Sequence, residues 1–316
     1  MGSDSMILPA FSSFEEKRAY VEELWSETGR AQCPIGVVCY RREEVCRLEW
    51  AGEVPLLRFA PLDGFSFINA AFSTRFGGVS QGCLGEMNLG FSRGDSQDVV
   101  GENFRIFCEA IGVDSGKLVL SDQVHDTRVK RVAGGDACGE EISKKLQGID
   151  GLCTDVPGLC LATSYADCVP LLFVDSKHRA IASSHAGWRG TAAKMGARTV
   201  EEMGACFGSR PEDLVAVIGP SICRDCYEVD GEVVSAFEEN YGREEMAEIA
   251  YPGQRPGKYQ LDLWAANFLA LKEAGIPPER IHVSGICTCC HPMLFYSHRA
   301  SRGNRGNLNA FLAVRE

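Results

Sequence analysis

The stretch "ADCVPLLFVDSKHRAIASSHAGWRG", residues 166–190, constrains the fold more than any other. "VPLLFVD" and "AIASS" are apolar without alternation, so neither face of these strands can be left to water. A strand buried on both faces needs a layer above and a layer below it. With strands and amphipathic helices alternating through the second half, the expectation is an α/β protein of stacked layers with mixed sheets.

The remaining elements follow from periodicity. "FEEKRAYVEELWSETG" (14–29) predicts a helix stopped by Gly29, and "IGVVCYRREEVCRLEW" (35–50) two short strands about a charged turn. Residues 191–208 predict one helix, with Ala193, Ala197, Val200 and Phe207 on one face. A helix near 229–241 would place Val229, Val233, Phe237 and Tyr241 together, and another spans about 261–274. "DLVAVIG" and "RIHVSGIC" read as strands, and 134–148 reads as a loop. No linker, repeat or low-complexity tract interrupts the chain. The organisation expected is an N-terminal extension, residues 1–60, of helix and short strands packed on one domain over 61–316.

The strands also suggest chemistry. If they form a hairpin closed by Ser176-Lys177, Cys168 opposes His185, and directly opposed residues share a sheet face with Cβ atoms about 5 Å apart. A Cys–His neighbourhood activates a thiolate nucleophile or ligates a metal such as zinc or copper. With His125, from "SDQVHDTRV", the pair becomes three ligands that leave a fourth position open, as a catalytic metal requires. In "HAGWRGT" the glycines turn the chain, Thr191 is expected to cap a helix, and Arg189 beside that helix end suits a phosphate or a carboxylate. An ordinary surface role for Arg189 fits the same residues.

"STRFGGVS" (73–80), "MNLG" (87–90), "QVH" (123–125), "DGLCTD" (150–155), "ADCVPLLFVD" (166–175), "HAGWRG" (185–190), "IGPSI" (218–222) and "YEVD" (227–230) occur in the order expected of the YfiH proteins. The chain resembles this family, also called the laccase-domain or multicopper polyphenol oxidoreductase family, from about residue 66 to its end. The resemblance implies an α/β/β/α layered sandwich, the YfiH-like cysteine hydrolase fold. It implies a metal site at His125, Cys168 and His185, which are also the expected catalytic residues, with zinc as the ion and copper as the alternative. It further implies purine nucleoside phosphorolysis accompanied by adenosine deamination. Arg75, Asn88, Gln123, Asp167, Arg189 and Arg299 are the residues expected at substrate or phosphate. The ending "LFYSHRASRGNRG" departs from the family's usual "FFSYRR" around Arg299.

The residues also rank the activities. A multicopper oxidase needs a blue copper and a trinuclear cluster, and the chain has only six histidines, most of them dispersed. The zinc-deaminase signature, a glutamate two residues after the histidine with Pro-Cys-x-x-Cys, is absent, leaving Asp167 or Glu228 as guesses for a general acid. A cysteine hydrolase with Cys168 as nucleophile and His185 as base, or a binding protein without turnover, are the other readings. A net charge of −11 argues against a nucleic-acid groove or an anionic membrane surface, so the expected partners are a small nucleoside and phosphate. With neither a signal core nor an apolar stretch of about 20 residues, a cytoplasmic location is expected.

Fifteen cysteines concentrate attention on "GICTCCHPM" (285–293) and on Cys223 and Cys226. Adjacent positions 289 and 290 would point to opposite faces of a strand. A second, structural zinc site that borrows Cys223 and Cys226 is conceivable, but the cluster reads rather as the end of a buried strand, with Cys287 or Thr288 lining a pocket.

Overall fold

The computed structural model describes residues 6–28, 45–139 and 142–316. The hairpin forms as β9 (Val169–Asp175) and β10 (Ala180–Ala186), every residue of both buried. Its register pairs Asp175 with Ala180 and Pro170 with His185. The loop is therefore 176–179, two residues longer than the sequence suggested, with Arg179 at φ 53. A shift of two preserves face parity, so Cys168 and His185 remain on one face but are diagonal rather than opposed.

These strands are central in a six-stranded sheet ordered β15 (Ile281–Val283), β11 (Leu214–Ile218), β9, β10, β7 (Gly151–Thr154), β5 (Val129–Arg131). A seven-stranded sheet runs β1 (Cys46–Ala51), β2 (Val54–Phe59), β3 (Ile68–Ser73), β16 (Leu308–Val314), β8 (Cys160–Tyr165), β4 (Leu118–Asp122), β6 (Ile142–Gln147). Both are mixed: β11 with β15, β5 with β7, and β4 with β6 and β8 are parallel. A small antiparallel sheet joins β12 (Glu228–Asp230), β14 (Lys258–Leu261) and β13 (Ala250–Pro252).

Alternation along single strands shows how the layers stack. In β9, Leu172 and Val174 enter the core between the two large sheets, together with Leu161 of β8 and Leu312 of β16. Leu171 and Phe173 point the other way, into a core shared with Val200 and Met203 of helix Met195–Phe207 and with Trp264 and Leu271 of helix Leu263–Glu273. On the far side, Phe311 and Leu120 pack against Phe104 and Phe107 of helix Gln97–Ile111. The chain is thus an α/β/β/α sandwich, and the uninterrupted apolar strands are the ones covered twice.

Several local expectations change. The segment 191–208 is two helices, Trp188–Ala192 and Met195–Phe207, broken at Lys194 with φ 56. The Thr191 carbonyl that a continuous helix would use accepts the Tyr241 hydroxyl at 2.9 Å. Thr191 is consequently buried inside the first helix, and Gly187 occupies the N-cap. Val229 lies in β12 and the next helix is Gly231–Glu238, so the four-residue spacing there was a coincidence of strand and helix. The expected loop 134–148 contains β6.

At the N-terminus, helix Phe14–Glu27 starts at Ser13, whose hydroxyl accepts the Glu16 amide at 3.2 Å. The predicted stop at Gly29 and residues 35–44 of the predicted strands lie outside the described residues. β1 and β2 extend the edge of the seven-stranded sheet and are continuous with the main body. Among the described residues no helix is long and apolar enough to cross a membrane.

Candidate active site and metal centre

The end of β10 and the turn before β9 carry His185 and Cys168, and the segment after β4 brings His125 to them. The ligand atoms of His125, Cys168 and His185 all lie within 4.8 Å of one another. His125 Nε2 stands 3.8 Å from Cys168 Sγ, and the two imidazole rings meet edge to face at 4.8 Å. His185 is buried and His125 is exposed, so the cluster sits at the floor of an open pocket.

Asp150, just before β7, organises this geometry. Its carboxylate accepts the His185 Nδ1–H at 2.9 Å and the backbone N–H groups of Val124, His125 and Asp126 at 2.9–3.0 Å. His185 therefore presents Nε2 toward Cys168, and the 124–126 turn is held with His125 at φ 65. A carboxylate behind a histidine ligand fixes tautomer and ring orientation. Sequence reasoning quoted "DGLCTD" but did not single out Asp150. A buried aspartate next to a glycine, just ahead of a buried strand, was the available signal.

Electrostatics agree with a soft-donor site. Burial alone would raise the Cys168 thiol, but the His185 charge and hydrogen bonds from His125 and His185 outweigh it and bring the thiol down to about 6. Burial would lower His185, yet the Cys168 charge and Asp150 raise it to about 9. Gly187 is required by space: a Cβ there would lie 2.5 Å from His125 Cδ2 and 3.3 Å from Cys168 Sγ.

Above the cluster opens a pocket of about 200 Å³, with Gln123, Tyr165, Phe91, Arg93 and Arg305 among its walls. Gln123 is braced by the backbone of Ser164, donating to its carbonyl at 2.9 Å and accepting its amide at 2.7 Å. Asn88 lies behind the wall, where its Oδ1 accepts the amides of Gly90 and Asn307, both at 3.0 Å. It shapes the pocket without facing it.

The other expected substrate contacts lie elsewhere. Arg75 is buried against Tyr296 and donates to the carbonyls of Pro292 at 2.6 Å and Met6 at 2.7 Å, so its charge is directed into the protein. Arg189 stacks on Trp188, and Arg299 donates to the carbonyls of Cys226 and Glu228, both outside the pocket wall. Asp167, at φ 83, accepts the Thr288 hydroxyl at 2.7 Å and the Arg299 amide at 2.7 Å, which fixes the turn leading into Cys168. Glu228 is paired with Arg255, which holds its carboxyl below the usual range, and it lies outside the pocket wall.

Two cationic residues that the sequence reading passed over take the pocket position instead. Arg93 and Arg305 both line it, each with a buried Nε that has no partner among the described residues. Burial, with the charge of Arg93 next in importance, lowers Arg305 to about 10. Their only signal in sequence was a basic residue in each of two glycine-rich loops.

The model of the family described as multi-copper polyphenol oxidoreductase laccase matches residues 69–315. This chain belongs to that family. A relative named purine nucleoside phosphorylase YlmD, from Bacillus subtilis, is 37% identical over 249 residues, 78% of this chain and 88% of its own length. A protein named adenosine deaminase RL5, from an unknown prokaryotic organism, is 38% identical over 200 residues, 62% of this chain and 74% of its own. The crystal structure of the Bacillus licheniformis hypothetical protein YfiH superposes with a TM-score of 0.79 at 34% identity, over 85% of this chain and 99% of that one. The layered laccase-domain fold, and a metal-binding character, are thereby those of this chain.

Its residues fit a metal. One thiol and two imidazoles converge, one imidazole is oriented by a carboxylate, and a glycine leaves the space open. This is a donor set for a borderline-soft cation with a position left for substrate.

A second convergence joins the two cysteine segments of the sequence. Cys223, Cys226, Cys287 and Cys290 also bring their sulfurs within 4.8 Å of one another. Cys289 stays outside that group, but not through alternation along a strand: β15 ends at Val283 and residues 288–290 form a turn. The two loops supply Cys-x-x-Cys pairs, however, so neither Cys289 nor His291 is needed.

Proposed function

We propose that this chain is a purine nucleoside phosphorylase, with zinc held by His125, Cys168 and His185. The observation that carries the reading is one pocket that combines this donor set with two cationic side chains, Arg93 and Arg305. The activity in the YlmD relative's name supports it.

In phosphorolysis a phosphate oxygen bonds to the anomeric carbon of the ribose as the bond from that carbon to the purine nitrogen breaks. The electron pair leaves with the purine, which takes up one proton as the attacking hydrogen phosphate gives one up. Arg93 and Arg305 would hold the phosphate anion, replacing their mutual repulsion with charge-assisted hydrogen bonds. Phe91, stacked on Phe104 at 5.6 Å, provides an apolar face to the pocket that suits a purine ring. Gln123 is held by the Ser164 backbone, and Asn88, behind the wall, holds the backbone of Gly90 and Asn307, which line the pocket. Asp150 keeps His185 in one tautomer throughout, so Nε2 stays turned toward Cys168 as a ligand for the metal. Zinc, when bound, supplies a Lewis acid beside Cys168.

Deamination of adenosine at the same centre is a second reading, supported by the relative named for it. Inosine, guanosine and adenosine are the substrates to test, each with and without inorganic phosphate. The reading requires free base and ribose 1-phosphate to form only when phosphate is present. Base release independent of phosphate would indicate a hydrolase, and ammonia without base a deaminase alone.

A further inference from the structure

The four-cysteine cluster lies beyond the pocket and has no part in the proposed reaction. Its sulfurs come from two Cys-x-x-Cys segments, Cys223–Cys226 and Cys287–Cys290. The first follows β11 and the second follows β15. Because β11 and β15 are parallel neighbours, both segments emerge at the same end of the sheet. A bridge between Ser221 and Cys287 continues the pairing to the edge of the cluster, with Thr288 donating its amide to the Ser221 carbonyl at 3.1 Å.

We propose that Cys223, Cys226, Cys287 and Cys290 bind one structural zinc ion as four thiolates. Distance decides first. A tetrahedron with sulfurs about 2.3 Å from zinc has sulfur–sulfur edges of about 3.8 Å. Cys290 Sγ lies 3.9 Å from Cys223 Sγ and 3.4 Å from Cys226 Sγ, near that edge and far from the roughly 2.05 Å of a disulfide. Cys290 is near both partners at once, which suits a shared ion and not a single covalent pair.

The backbone points the same way. Cys287 Sγ accepts the amides of Cys223 at 3.2 Å and Cys290 at 3.3 Å, one from each segment. Amide donors aimed at a sulfur favour its thiolate. Cys223 is the N-cap of a one-turn 3-10 helix, Arg224–Cys226, that curls Cys226 back toward it. Cys223 and Cys287 are buried while Cys290 is exposed, so the site has a packed floor and a side open to an incoming ion. Two Cys-x-x-Cys turns facing each other are a donor pattern of structural zinc. Binding converts four thiols to thiolates, releases up to four protons, and leaves a site of net charge −2. The Arg299 guanidinium, bonded to the Cys226 carbonyl at 3.0 Å, sets a positive charge beside it.

The ion would pin the segment that carries Thr288, whose hydroxyl holds Asp167 immediately before Cys168. It would therefore act as a clamp on the floor of the pocket without touching substrate.

The test begins with full-length Cys168→Ala protein, purified under reducing conditions without added metal, so that zinc in the pocket does not obscure the count. One equivalent of zinc per chain is expected there, and its loss is expected in Cys168→Ala/Cys290→Ser. In case that double variant does not fold, the wild-type chain is alkylated before and after treatment with a strong chelator. Cys223, Cys226, Cys287 and Cys290 should become modified together, and only after chelation. The proposal is overturned if the single variant holds no zinc, or if the double variant keeps it. It is equally overturned by a Cys226–Cys290 disulfide in the unreduced mass, or by acid-labile sulfide marking an iron–sulfur cluster.

Discussion

Asp150 accepts the His185 Nδ1–H at 2.9 Å, and the same carboxylate holds the turn that carries His125. One buried side chain thus sets the geometry of two of the three donors, both imidazoles beside Cys168. Asp150→Asn keeps the shape but loses the charge and replaces one of the two accepting oxygens with a donor. It is expected to weaken zinc binding by about 10–100-fold, as removal of such partners generally does. Competition with a fluorescent zinc chelator measures this, and an unchanged affinity would mean that His125 and His185 orient themselves.

The same residue gives a pH dependence. Burial tends to raise the Asp150 carboxyl, but the His185 hydrogen bond and charge, with the Val124 and Asp126 amides, carry it below its ordinary value. A carboxyl whose folded pKa is lowered stabilises the protein fully above the unfolded pKa, about 3.9. That stability is lost as pH falls through the lowered value. Thermal midpoints of metal-free protein should therefore fall more steeply in acid for wild type than for Asp150→Asn. Parallel curves would remove Asp150 as the source.

Gly187 separates packing at the site from backbone strain. Its φ of −68 suits any residue, so Gly187→Ala costs nothing through conformation. The added methyl group must nevertheless displace His125, whose Cδ2 lies 2.5 Å from the Cβ position. Zinc affinity and turnover should drop together while the circular dichroism spectrum of the fold persists. Full activity in this variant would show that His125 is not held where the structure places it.

Arg93 and Arg305 are assigned to phosphate, and Arg75 and Arg189 are not. Arg305→Gln is expected to raise KM for phosphate by about 10–100-fold, corresponding to loss of one hydrogen bond to a charged group. KM for the nucleoside should change little, and Arg189→Gln should leave both near wild type. A selective effect of Arg189→Gln on phosphate would reverse the assignment.

What could be read in the sequence depended on how local the determining physics was. Cys168 and His185 could be paired because face parity in a hairpin survives an error of two residues in the loop. The α/β layering could be read because strands covered on both faces carry no polar alternation. The Cys223–Cys290 convergence could not, since it depends on β11 pairing in parallel with β15 across more than 60 residues. Nor could the break at Lys194, where the Thr191 carbonyl accepts the Lys194 amide and, from far along the chain, the Tyr241 hydroxyl. Arg93 and Arg305 share one pocket only because loops more than 200 residues apart in the chain come together there.

The central claim is that His125, Cys168 and His185 carry purine nucleoside phosphorolysis. It is tested most directly by following base release from inosine with phosphate for wild type and for folded Cys168→Ala, with zinc content measured on both. The expected result is phosphate-dependent hypoxanthine and ribose 1-phosphate from wild type, and loss of both the activity and the pocket zinc in the variant. Equal turnover by Cys168→Ala, or no base released by zinc-loaded wild type from any purine nucleoside, would contradict it.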